Sequence, residues 1–217
     1  MSFSLTSFDV AGIRIPDSKL AKAATEFVRD CESDLLFDHS VRVFLWGALR
    51  GKHRGWKFDP ELLFLGAMFH DVGLTAKHRS ASNRFEIDSA NAARDFLCQH
   101  GVAAEVIGLV WDAIALHTTP EIPWHKQTEV ALVTAGVELD VMGMGFDEVP
   151  DDVKSLVLAA HPRKDFKTHI IRAFADGFRH KPESTFGTVN ADVLAKTEPG
   201  FARQDFCALI AGSRFQN

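Results

Sequence analysis

The sequence predicts an all-α protein, a compact helical bundle, on three observations. Helix-opening and helix-closing residues recur along nearly the whole chain. Apolar residues between them repeat at helical spacing. No stretch alternates β-branched and polar residues over the length of a strand, and no segment repeats. At 217 residues, a single domain spanning 1–217 is expected, with a core of about 34–143, an N-terminal helix and a C-terminal helical extension.

Pro16 and Asp17 open a first helix running to about Cys31. A second starts near Asp38. It sets His39, Val43, Trp46 and Leu49 on one inward stripe and ends in the Gly51–Gly55 breaker region. Asp59-Pro60-Glu61 is a strong start signal: a capping carboxylate, proline in the first turn, then an acid favoured by the helix dipole. The helix from Glu61 to Asp71 is apolar almost all round, which predicts burial, and Gly73 suits its stop. A polar loop, Thr75 to Asn83, leads to a helix from about Ile87 to Gln99. Ala103–His117 is helical, Pro120 and Pro123 force a loop, and Glu129–Met142 is helical up to the turn at Gly143 and Gly145. Asp151–Ala160 and Lys164–His180 follow, then short helical pieces separated by Gly187, Pro199 and Gly200.

The formal charge of −5, with no basic block, excludes a duplex nucleic-acid binder. No run of 18 apolar residues crosses a membrane. The start Met1-Ser-Phe-Ser-Leu-Thr lacks the pattern of a signal peptide. Cys31, Cys98 and Cys207 are widely spaced, which fits buried, reduced thiols in a cytoplasmic protein. The expected partner is a small-molecule substrate.

Chemistry concentrates at Phe69-His70-Asp71-Val72-Gly73. Adjacent histidine and aspartate bring an imidazole nitrogen and a carboxylate oxygen to one cation. His39 lies upstream, and Asp140 ends an apolar helical pattern downstream. His39, His70, Asp71 and Asp140 therefore read as H…HD…D, a metal ligand set drawn from three helices. A carboxylate buried after the apolar run Leu62–Phe69 carries a large desolvation cost, which a divalent ion removes. Two imidazoles and two carboxylates suit Zn²⁺, Fe²⁺, Mn²⁺ or Ni²⁺. Water on such an ion has a pKa near about 7.

This order resembles the HD-domain superfamily of metal-dependent hydrolases over about Asp34 to Gly143, with His70-Asp71-Val72-Gly73 its most specific part. The stretches His70–Thr75, Arg84–Ala90 and Trp111–Thr119, with the Ala131–Met142 helix and much of the tail, are similar to the cyanamide hydratase branch. The resemblance implies a zinc enzyme that adds water to the nitrile of cyanamide and yields urea. It also implies a homodimer or larger homo-oligomer.

Asp71 and His117 are the expected catalytic residues: Asp71 takes a proton from water, and His117 shuttles a proton or donates to substrate. As a helix-end cation, His117 would instead serve only the dipole. With His125 it could hold a second metal. Phe85 is expected in the pocket wall and Glu86 orienting substrate or a ligand histidine, although Glu86 or Asp88 would also serve as a helix cap. Thr75 and Asn83 are expected substrate donors, and Phe69 a second wall. Lys77, His78 and Arg79 form a short basic cluster on the loop. His53, His100, His161, His169 and His180 read as surface or capping residues. Trp46, Trp111 and Trp124 read as packing, and Ser40 and the cysteines lack a base partner. Three alternatives stay open: a nucleotide phosphohydrolase using Arg42, Arg79 and Arg84, a di-iron oxygenase, and an inactive binding module.

Overall fold

The computed structural model describes residues 9–215. Among them are ten α-helices: α1 Lys19–Arg29, α2 Asp34–His53, α3 Pro60–Phe69, α4 Phe85–Gln99, α5 Ala104–Ala115, α6 Thr128–Val137, α7 Asp151–Ala160, α8 Phe166–Phe178, α9 Asn190–Thr197 and α10 Phe206–Ala211. The fold is all-α. One two-residue hairpin precedes it, Asp9–Val10 antiparallel to Ile13–Arg14. Ala11 and Gly12, with φ of 55° and 76°, make its turn. Strands this short leave no alternation to read. The segment Met1-Ser-Phe-Ser-Leu-Thr lies outside the described residues.

Helices α2, α3, α5 and α6 pack together at the centre. Helix α4 lies on α5 and on the 3-10 turn Val72–Leu74, while α8 covers α2 and that same turn and carries α9. The main core runs through α1 to α6 and includes Phe44, Leu45, Phe64, Leu65, Met68 and Val133. A smaller apolar cluster gathers Leu36, Leu74, Phe85, Phe166, Ile170, Phe178 and Leu194. It binds the C-terminal extension to the core. No helix among the described residues is long and apolar enough to cross a membrane.

Boundaries follow local capping. Helix α3 opens as its sequence dictates: the Asp59 carboxylate accepts from the backbone N–H of Glu61 at 2.8 Å and of Leu62 at 3.2 Å. Helix α2 starts four residues before the expected Asp38, because Ser33 is its cap and its hydroxyl accepts from the N–H of Leu36. Helix α4 starts two residues before Ile87, so Phe85 and Glu86 enter its first turn. Helix α6 gives way at Glu138–Met142 to a wide π-helical turn that holds Asp140. Cys31 is half-buried, whereas Cys98 and Cys207 are exposed, so burial accounts for only one of the three thiols.

Two glycines set close approaches. A Cβ at Gly136 would strike the carbonyl of Val43, so glycine lets α6 lie directly on α2. A Cβ at Gly73 would strike the Phe85 carbonyl and Ser89. Its N–H instead donates to Ser89 Oγ at 2.8 Å. Gly73 is therefore a contact point for α4 rather than the helix stop the sequence suggests. We expect Gly136→Ala to cost about 1–3 kcal/mol in denaturant unfolding. Gly108→Ala, where a Cβ meets open space on α5, should hold stability or raise it.

Candidate metal centre

Three elements deliver the cluster. His39 projects from the middle of α2, His70 caps α3, and Asp71 follows it with φ −108° and ψ 1°, in the sparsely allowed bridge region. The ligand atoms of His39, His70 and Asp71 all lie within 4.8 Å of one another, and all three residues are buried. Nε2 of His70 is 3.2 Å from Nε2 of His39 and 3.3 Å from Asp71 Oδ2. Nε2 of His39 is 3.6 Å from the same oxygen.

The proton positions follow from what stands behind each ring. Nδ1 of His70 lies 2.7 Å from the Ala67 carbonyl, which can only accept, so Nδ1 carries the hydrogen. Nδ1 of His39 lies 2.7 Å from Asp140 Oδ2 and donates likewise. Nδ1 of His117 donates to the Ile114 carbonyl at 2.6 Å. In neutral rings each Nε2 is then a bare lone pair, and all three turn toward Asp71, with His117 Nε2 at 3.8 Å from Asp71 Oδ1. Both Asp71 oxygens lack a hydrogen-bond partner. A lone proton could sit between the two facing imidazoles, but it would leave Asp71 bare. A divalent ion would satisfy the Nε2 atoms of His39 and His70 and one Asp71 oxygen at once, and two imidazoles with one carboxylate suit zinc and its neighbours. Three protein ligands leave open positions for water.

The charges are mutually tuned. Burial would raise the Asp71 carboxyl, but His70, His39 and His117 hold it down to about 2. Burial lowers His39, with Asp140 pulling the other way. For His70, burial is outweighed by Asp71, and the net shift is upward. His117 is pushed down to about 4 by burial and then by His70, against the pull of Asp71 and Glu86.

Of the four expected ligands, His39, His70 and Asp71 form the close cluster and Asp140 stands beside it. Its carboxylate stands behind the His39 ring, on the Nδ1 side, and its oxygens are saturated. Oδ1 accepts from Arg42 Nε at 2.9 Å, Trp46 Nε1 at 2.8 Å and Arg163 at 2.9 Å. Oδ2 accepts from Arg42 at 2.9 Å as well as from His39. Burial works against its ionisation, but His39 and Arg42 hold its pKa far below the usual carboxylate range. In this arrangement Asp140 holds the His39 ring from the Nδ1 side and stands apart from the three clustered ligand atoms.

Other expected residues divide. Phe85 is fully buried and lies edge-on to His117, with centroids 5.5 Å apart. Glu86 is buried beside His117; its Oε1 accepts from Thr118, from Arg84 at 3.2 Å and from Asn190 at 3.0 Å, and its Oε2 has no partner. Thr75 spends its hydroxyl on the Val72 carbonyl at 2.7 Å. Asn83 is exposed and donates to Asp88. Both are hydrogen-bonded within their own segment. Asp88 does not cap α4 either; it accepts from Ser80 and, at 2.6 Å, from the buried Lys181. Phe69 packs on Phe27 and Phe96 in the core, not in the pocket wall. His125 is exposed and stands outside the cluster, so the pair expected for a second metal does not assemble. Trp46, read as packing, is an anchor of Asp140.

A family comparison bears on this geometry. The model of the HD domain family matches residues 36–165, more than half the chain. The chain belongs to the HD domain family. Within it, the match takes in His39, His70, Asp71, His117 and Asp140. Two relatives from Saccharomyces cerevisiae (strain ATCC 204508 / S288c), cyanamide hydratase DDI2 and cyanamide hydratase DDI3, are each 24% identical over 152 residues, covering 68% of either chain.

Two outcomes test the centre. Asp140→Asn should weaken metal affinity by about 10–100-fold without abolishing it, measured by chelator competition, whereas Asp71→Asn should abolish it. In metal-free protein, His117 titrates near 4, below the value of about 6.5 in an unfolded chain. The unfolded state then takes up a proton first, and this contribution to stability falls as pH drops from about 6.5 to 4. The unfolding free energy of His117→Gln should decline less steeply across that window than that of the metal-free parent.

Proposed function

We propose that this HD protein is a hydratase of a small nitrogen compound, converting cyanamide to urea with zinc at the cluster. The carrying observation is the convergence of His39, His70 and His117 on an Asp71 carboxylate with no hydrogen-bond partner. The kinship with two cyanamide hydratases supports the choice of substrate.

A divalent ion held there supplies a Lewis acid and acidifies a water to a pKa of about 7. Asp71 offers two oxygens: one to hold the ion, the other to take the water proton. His117 is neutral at pH 7 and its Nε2 faces that second oxygen, so it can receive the proton and return it to the nitrogen of the nitrile as that atom gains charge. Water oxygen bonds to the nitrile carbon, one C–N π bond opens onto nitrogen, and nitrogen takes the proton. The isourea product rearranges to urea. Phe85 fixes the His117 ring and excludes water from its edge.

Two observations weigh against the alternatives. Phosphate transfer needs free cationic groups, whereas Arg42 is committed to Asp140 and to the carbonyls of His161 and Pro162, Arg84 pairs with Glu86, and Arg79 donates to the Asp176 carbonyl. A di-iron oxygenase needs a second ligand group, and His125 is exposed.

Elemental analysis of the purified protein, paired with urea release from cyanamide, tests the proposal. About one zinc per chain with urea produced is expected; no metal, or metal without urea, would sink it. His70→Ala and Asp71→Ala should lose both metal and turnover, and His161→Ala neither. His117→Ala should keep the metal while kcat falls about 100-fold or more.

A further inference from the structure

His39, His70, Asp71 and His117 are each at most 3% exposed, so a substrate needs a way in. Two cavities border the surroundings of the cluster. One, of about 510 Å³, touches them at Trp46 and Asp140, behind the His39 ring and away from its free Nε2. The other, of about 680 Å³, lies between the end of α5 and the C-terminal extension, and Arg84 and Thr118 are part of its lining.

The inner wall of this larger cavity leads toward the cluster. Thr118 follows His117 in the chain, and Arg84 precedes Phe85, whose ring lies 5.5 Å from that of His117. Arg84 and Thr118 both donate to Oε1 of Glu86, as does Asn190 of α9. Oε2 of Glu86 is buried without a partner. The Glu86 carboxylate therefore ties three segments into a partition between the cavity and His117. A partition made of one side chain opens by rotation of that side chain, with no helix displaced.

The lining selects what enters. Thr118 spends its hydroxyl proton on Glu86, Thr185 on the Pro182 carbonyl at 2.7 Å and Thr188 on the Thr185 carbonyl at 2.8 Å. Each of these oxygens is left as an acceptor. Both arginines of the lining are already paired, Arg84 with Glu86 and Arg203 with Asp192. Acceptors without a free cation suit a neutral molecule carrying N–H groups and offer an anion little.

We infer that this cavity is the entry chamber of the site, that it admits small neutral molecules bearing N–H donors, and that Glu86 is the gate between it and His117. The identity of the molecule as cyanamide rests on the proposed reaction; the route rests on the geometry alone.

The test fills the chamber. Ala191→Trp and Ala202→Trp each place an indole in it, from two different segments. Ser155→Trp does the same in the cavity behind His39 and is the control. With the zinc-loaded full chain and cyanamide, kcat/KM should fall about 10-fold or more in the first two, mainly through KM, and hold in the third. Zinc content should not change. The second readout needs neither metal nor turnover. Diethyl pyrocarbonate, a small neutral reagent, acylates unprotonated imidazoles, and mass spectrometry locates the modified residues. In metal-free wild type at pH 7 it should modify His117, more slowly than the exposed His125. That rate should fall by a similar factor in both chamber-filling variants, hold in Ser155→Trp and rise in Glu86→Ala, where the gate is removed. A His117 that never reacts in wild type, an undiminished rate in Ala191→Trp and Ala202→Trp, an equal loss in Ser155→Trp, or no acceleration in Glu86→Ala would overturn the inference. If one filling variant melts at a lower temperature, the other and the Glu86→Ala rate decide. If wild type releases no urea from cyanamide, the proposed reaction fails, and the modification rates still judge the chamber.

Discussion

Three imidazole lone pairs facing one bare carboxylate constitute the constraint on which this structure depends. Each ring is held in the same tautomer by an acceptor behind it. For two of them the device is identical. His70 and His117 sit at or just beyond a helix C-terminus and donate to the carbonyl three residues back, Ala67 and Ile114. A helix leaves its last carbonyls without intrahelical partners, so ring orientation comes from groups the fold must satisfy anyway. His39 lies in the middle of α2, where no carbonyl is free. It needs a carboxylate from elsewhere, and Asp140 supplies it.

That requirement explains the architecture around α2. His39, Arg42 and Trp46 recur at i, i+3 and i+7 and share one helix face. The histidine and its two neighbours all bond to Asp140, and Arg163 closes the far side. A buried charge is tolerable only when its bonding capacity is filled, and this one is filled by five donors from four residues. Glycine at 136 brings α6 onto α2, and the π-helical turn that follows presents Asp140 to the ring. The C-terminal extension completes a second layer. Phe166 packs on His39, Asn190 donates to Glu86, and Lys181 is buried against Asp88.

Much of this was legible in the sequence because capping and periodicity are local. Asp59-Pro60 fixed the start of α3, and an apolar run ending in His70-Asp71 could hardly be anything but a buried polar step. Spacing could bring Asp140 near His39, but not say on which side of the ring it stands. The clue was Arg42, a permanent cation on the inward stripe of a buried helix, which demands an anion. Thr75 and Asn83 show what the loop sequence leaves open. Short polar side chains in loops most often bond their own backbone or a loop neighbour, and these two do.

Anomalous diffraction from crystals grown with zinc tests the central claim most directly. The account predicts one peak bounded by Nε2 of His39, Nε2 of His70 and a carboxylate oxygen of Asp71, with both oxygens of Asp140 still bonded to Arg42, Trp46 and His39. A peak coordinated by Asp140, or no peak among those three residues, would contradict it.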